Sequence, residues 1–214
     1  MTLIERLGRF NRAHPWSHNA AFTPVVMWHA WRVARAGGAR ALDVGCGSGN
    51  LVGGLARILP DVVGLEPDPV YAAHALSRHA RSARVRIEAR SFGPEERAAY
   101  DLVVFVASLH HLALEAALRE ARACLRSGGR IVIVGVVSED HPDLRSRISV
   151  ALNPVVGWLR HPRGTAAEPL RMGAPVAAPA ETFEQVALVM ESVLPGVRMR
   201  RRLFWRYTAV WKAR

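Results

Sequence analysis

The sequence predicts an α/β fold, a mostly parallel seven-stranded sheet with helices on both faces. Three observations carry that expectation. Short, nearly continuous apolar segments alternate with helical ones, as strands covered on both faces require. A glycine-rich turn follows the first apolar segment. The chain has 214 residues, half of them hydrophobic, which suffices for one such core.

Taken in order, residues 3–12 carry apolar side chains at Leu3, Leu7 and Phe10, a short helical period that His14-Pro15 ends. Pro24 suits the first turn of a second helix running to about residue 36, closed by Gly37-Gly38. Residues 1–36 thus read as an N-terminal helical cap. A buried strand is expected at 41–44, then the glycine turn and a helix over 51–58. A second strand at 62–65 leads to a helix over 69–79, with Asp68 at its start. Strands follow at 85–89 and 101–107. A helix over 114–125 is expected to stop at Ser127-Gly128-Gly129, ahead of a fifth strand at 130–137.

The pattern then changes. Residues 144–159 have helical character interrupted by Pro154, and 161–179 are rich in Pro, Gly and Ala. Residues 138–180 read as an insertion, either a lid over a site or a surface excursion. A helix over 183–194 and strands at 197–204 and 208–211 close a single domain spanning 1–214.

Composition limits the functions available. The formal net charge is +11, and the basic residues are arginines apart from Lys212. They are spread along the chain with one cluster at 198–206, without aromatic interleaving or a nucleic-acid motif, so a solvated basic surface is favoured over nucleic-acid binding. The most apolar run, 131–137, is too short to cross a bilayer, so no membrane partner is expected. The N-terminal segment carries Glu5, Arg6, Arg9 and Arg12 and lacks the form of a targeting peptide. Cys46 and Cys124 have no metal-type spacing, so no metal is expected, and free thiols suit a cytoplasmic location.

Residues 42–50, Leu-Asp-Val-Gly-Cys-Gly-Ser-Gly-Asn, are the most informative. A strand ends in Asp43, and glycines then alternate before a helix. Missing Cβ atoms let the backbone turn sharply and let a ligand approach the main chain, at the strand end where open α/β sheets bind ligands. The spacing is G-x-G-x-G rather than the dinucleotide G-x-G-x-x-G, and no lysine follows as in a phosphate-binding loop. The acid two residues before the first glycine suits an ammonium rather than a pyrophosphate.

This segment resembles the class I S-adenosylmethionine (SAM)-dependent methyltransferase family, whose E/D-x-G-x-G-x-G motif it matches, and the resemblance runs over residues 41–137. It implies a Rossmann-like SAM-methyltransferase sandwich with SAM as cofactor. It further implies that the loop wraps the methionine part of SAM, with Asp43 near the ammonium and Gly45, Cys46, Gly47 and Gly49 giving the backbone room.

Glu66, followed by Pro67, ends the second strand 17 positions beyond Gly49, where a carboxylate can accept from both ribose hydroxyls. The family usually places an acid after the third strand for the adenine amine. Here Ser91 falls at that place, or Arg90 on a shift of one; Ser91 can accept the amine, Phe92 can pack on the ring, and arginine has no acceptor.

In the family the fourth strand delivers residues beside the transferable methyl, which implicates Ala107 and, just beyond, His110 and His111. An imidazole near neutral pKa can take a substrate proton as the acceptor attacks the methyl. The competing reading is that the pair caps the following helix. The Asp/Asn-Pro-Pro-Tyr/Phe signature of exocyclic-amine methylation on nucleic-acid bases is absent. Ahead of the core, Trp16, His18 and Asn19 form a W-x-H-N stretch similar to that of small natural-product methyltransferases. In that subgroup such a segment covers the cofactor and substrate cleft.

The function expected is methyl transfer from SAM to an oxygen or nitrogen of a small molecule. An RNA methyltransferase, favoured only by charge, and a SAM-binding protein without methyl transfer are the alternatives.

Overall fold

The computed structural model describes residues 18–138, 148–149, 152 and 179–214. Among these, seven strands form one sheet in the order β3-β2-β1-β4-β5-β7-β6. The strands are β1 (Arg40–Val44), β2 (Asp61–Leu65), β3 (Val85–Glu88), β4 (Tyr100–Val106), β5 (Leu125–Val136), β6 (Arg198–Arg201) and β7 (Arg206–Lys212). β1 to β5 run parallel, and β7 lies antiparallel between β5 and β6. The helices are α1 (Thr23–Arg35), α2 (Asn50–Leu55), α3 (Pro69–His79), α4 (Leu114–Ala123) and α5 (Phe183–Val193).

Strand alternation divides the core into two layers. Leu42, Val44, Val103, Phe105, Ile131 and Ile133 face one side and pack with Leu118 of α4 and Met190 of α5. Ala41, Val62, Leu102, Val104, Val132 and Val134 face the other and pack with Ala30 of α1 and Leu55 of α2. The helices are placed by local chemistry. Asp68 accepts from the N–H groups of Val70 and Tyr71 at the start of α3, and Thr182 with Gln185 forms a capping box on α5.

Four expectations need correction. Ser127-Gly128-Gly129 does not close the helix; α4 ends at Ala123 and these residues lie within β5. Its pairing with β4 jumps from Tyr100–Leu125 to Leu102–Arg130, and the intervening backbone bonds to Ala213 at the end of the chain. Those partners satisfy N–H and C=O groups that a turn would have left to water. β6 stops at Arg201 and not at residue 204, because Phe204 and Trp205 turn the chain at φ of 59° and 56°. β7 correspondingly begins two residues early, at Arg206. The helix after the glycine loop is also shorter than expected, ending at Leu55.

The helical segment at 3–12 and Trp16 lie outside the described residues, as does most of the 138–180 insertion. The two ends of that insertion meet: the Ser138 N–H donates to the Glu181 carbonyl at 2.9 Å, beside a bridge between Ser138 and Thr182. No described helix is long and apolar enough to cross a membrane.

Candidate functional site

The carboxyl ends of the parallel strands converge on the glycine loop. Gly45, Gly47 and Gly49 have φ of 73°, 55° and 76°, a region that other residues enter only with strain. The N–H groups of Gly45 and Cys46 both donate to the Leu65 carbonyl at 2.9 Å, which lashes the loop to the end of β2. Two of the glycines are also sterically fixed. A Cβ on Gly45 would stand 2.5 Å from Cβ of Ser108, whose hydroxyl donates to the Val44 carbonyl. A Cβ on Gly49 would stand 2.9 Å from Nε2 of His79, and that nitrogen lies 2.8 Å from the Gly49 carbonyl. Gly47 differs: nothing lies within 4 Å of its Cβ position, so the crest of the loop faces open space.

Asp43 lies under this crest, buried, and its Oδ2 has no hydrogen-bond partner. Burial, and secondarily the nearby Glu66 charge, raise its pKa to about 7. A buried carboxylate oxygen without a partner is costly, so the geometry suits a cation delivered by a ligand. The α-ammonium of SAM has that chemistry, and the open crest at Gly47 leaves room for it.

Glu66 is buried rather than a surface acid. Its Oε2 accepts from the Gly47 N–H at 2.8 Å and its Oε1 from the Asp68 N–H at 2.9 Å. Each carboxylate oxygen keeps a second acceptor site for a ribose hydroxyl. Pro67 is exposed beside it. Cys46 is buried, and burial pushes its thiol pKa far up. It is therefore unreactive, and it contributes to the loop through its backbone.

Beyond β3, Ser91 is exposed, and Phe92 meets Phe105 edge-on with ring centroids 5.7 Å apart. Arg90 turns away from adenine chemistry, pairing with Glu88 and Glu95 at 2.7 Å each.

Beyond β4, Ala107 has φ of 54°, and its N–H donates to the Val134 carbonyl at 2.8 Å. A non-glycine residue in this region stores strain of the kind found at functional sites. Leu109–His111 then form a single 3-10 turn, and Ala113, not a histidine, occupies the N-cap position of α4. His110 is half-buried and His111 exposed, with ring centroids 4.0 Å apart. No cluster of metal-ligating side chains occurs among the described residues.

On the far side, a 3-10 turn over His18–Ala21 leads into α1, and the Asn19 Oδ1 accepts from Nε of Arg206 at 3.0 Å. The fold thus brings Asp43, the three glycines, Glu66 and Ala107 to one edge of the sheet. Sequence reasoning missed Ser108, His79 and Arg206. Ser108 and His79 act through contacts 64 and 30 residues away, and Arg206 was hidden in a run of surface arginines.

A seven-stranded sheet of this order, with an acid-and-glycine loop closing β1 and an acid closing β2, defines a class I SAM-dependent methyltransferase. Comparison with known proteins agrees. A methyltransferase-domain family model matches residues 42–133. An uncharacterized methyltransferase of Mycobacterium tuberculosis is 30% identical over 176 residues, covering 80% of this chain and 86% of that one. A ubiquinone biosynthesis O-methyltransferase of Azorhizobium caulinodans is 36% identical over 133 residues, 60% of this chain and 51% of that one. The chain therefore spans about half the length of the latter relative. The solved structure of a TehB-like SAM-dependent methyltransferase from Corynebacterium glutamicum superposes with a TM-score of 0.52 at 21% identity, covering 87% of this chain and 88% of that one. The chain belongs to the SAM-dependent methyltransferase family, whose cofactor is S-adenosylmethionine.

Proposed function

We propose that the protein methylates an oxygen or nitrogen atom of a small molecule. The observation carrying this reading is the strained Ala107 followed three residues on by the half-buried His110, at the strand end that adjoins the glycine loop. SAM, when bound, supplies an electrophilic methyl group on a sulfonium. The chain does the rest. Asp43 takes the ammonium, Glu66 the ribose hydroxyls, and Ser91 and Phe92 border the adenine. The loop backbone at Gly45, Cys46, Gly47 and Gly49 leaves room for the methionine part. His110 accepts the acceptor's proton at an imidazole nitrogen or holds the acceptor in line, with His111 beside it. Trp16, His18 and Asn19 are assigned to the acceptor, a role that the contact of Asn19 with Arg206 supports for that residue.

The A. caulinodans relative is named an O-methyltransferase, which supports oxygen as the target atom. In this reading residues 1–214 act as one domain, with 1–36 as cap and 138–180 as an insertion or lid. Two buried free thiols suit a reducing cytoplasm.

The test is methyl transfer from labelled SAM to a panel of phenols, carboxylic acids, amines and a short RNA. Label appearing in one of the small molecules is expected. Label in RNA alone would replace this reading, and cofactor binding without transfer to any member would remove it.

A further inference from the structure

Resting on the methyltransferase reading, we infer that Arg206 is the receptor for an anionic group on the acceptor, so that the substrates carry a carboxylate, a phosphate or a comparable oxyanion.

Arg206 is the first residue of β7 and pairs across to Val136, the last residue of β5. It therefore stands at the edge of the sheet where the parallel strands end and where the glycine loop lies. Alternation along β7 sends Arg206 to the same face as Val210, which packs in the layer beneath α1. That is the side occupied by the Asn19 turn, to which the guanidinium bonds.

Its burial, taken together with its partners, distinguishes it, since Arg122 and Arg202 also bond only to neutral acceptors among the described residues. Arg40 pairs with Asp61, Arg90 with Glu88 and Glu95, Arg126 with Asp101, and Arg201 with Glu184. Arg206 has only neutral acceptors among the described residues: Oδ1 of Asn19 at 3.0 Å and the Phe204 carbonyl at 3.3 Å. A guanidinium has five N–H donors in a planar fork, so most remain for a ligand. Burial alone pulls its pKa down to about 10, so the charge is held at a cost that no carboxylate of the described chain offsets. An oxyanion accepting two parallel N–H bonds would remove that cost.

Position separates the acceptor from the cofactor as the source of the anion. β7 is the third strand from β1, which places it about 14 Å from the glycine loop that seats the methionine part of SAM. It is two strands from β4, about 10 Å from the strand end that leads to His110, a gap that an aromatic or short-chain acid spans. The turn that presents Arg206 is itself held in shape, since the Phe204 N–H donates to Oγ of the buried Ser149 at 2.8 Å.

The experiment is calorimetric titration of the full chain with benzoate and phenyl phosphate against neutral benzamide, with and without the demethylated cofactor product. The anions are expected to bind at least about 10-fold more tightly than benzamide, as a charge-assisted bidentate contact should allow. Arg206→Gln should abolish that preference and leave affinity for the cofactor product within about 3-fold, since the two lie on different strands. Arg206→Lys should keep part of the preference, because it retains charge but not the fork, and it serves in place of the glutamine variant if that one does not fold. Equal binding of charged and neutral probes by the wild type overturns the proposal, as does an undiminished preference in either variant. A fall in cofactor affinity with the anion preference intact assigns Arg206 to the cofactor carboxylate and also overturns it. An Arg206-dependent anion preference in a protein that methylates nothing in the panel would leave the anion receptor standing and remove the methyltransferase reading instead.

Discussion

Glu66 accepts the Gly47 N–H at 2.8 Å, so a carboxylate at the end of β2 holds the crest of the loop that ends β1. The same carboxylate accepts from Asp68 through its other oxygen. Glu66→Gln keeps only one accepting oxygen, and its NH2 group would face one of the two donors. Leaving one buried N–H unmet should cost about 1–3 kcal/mol. Urea denaturation should show that loss, and calorimetry should show SAM affinity lowered at least about tenfold through loosening of the loop. Wild-type affinity in the variant would mean that the loop holds its shape without Glu66.

Asp43 should make cofactor binding pH-dependent. Its carboxyl has an ordinary pKa of 3.8 and is raised to about 7 by burial first and Glu66 second. Folding therefore disfavours the charged form. The penalty is absent below pH 4, grows as the unfolded chain ionises, and is complete above pH 7. Asp43→Asn should match the wild type in stability near pH 4 and exceed it at pH 8. The same variant should bind SAM more weakly, having no charge for the ammonium. In the wild type, SAM binding at pH 6 should release a proton, read as a dependence of calorimetric heat on the buffer's ionisation enthalpy. No release at pH 6 would mean that Asp43 does not meet the ammonium.

His110 tests which group takes the proton. His110→Ala should leave SAM affinity within a few-fold and lower turnover by about 100-fold or more if the imidazole is a general base. If it only orients the acceptor, the loss should appear mainly in KM. His110→Gln retains hydrogen bonding without basicity near neutral pH, so its pH–rate profile should lose the limb that the histidine titration gives. Full activity in His110→Ala eliminates both roles and turns attention to His111.

Gly135 and Tyr207 give a test of packing next to the strand end that carries Arg206. A Cβ on Gly135 would collide with the ring and hydroxyl of Tyr207, across the β5–β7 pair. Gly135→Ala should destabilise the fold by about 2–3 kcal/mol through overpacking. Chemical denaturation should show most of that loss recovered in the double variant with Tyr207→Leu, because the collision needs both partners. A stable single variant would show that the ring can move aside.

By itself the sequence determined the sheet and most of its covering. Apolar runs at β1, β2, β4 and β5 and helical spacing through α1, α3 and α5 are local patterns with a fixed period. Asp68, which caps α3, and Gly45, Gly47 and Gly49, which need positive φ, are likewise legible one residue at a time. The candidate cofactor residues could be proposed for the same reason, since the acid and glycines are contiguous and Glu66 follows at one helix's distance. The tertiary structure decided what depends on partners distant in the chain. The glycines after α4 joined β5 because the last residues of the chain were there to pair with them. Gly45 is fixed by Ser108 and Gly49 by His79, contacts that no local pattern announces. Arg206 and Asn19 meet across 187 residues, a contact that the run of arginines at 198–206 does not announce.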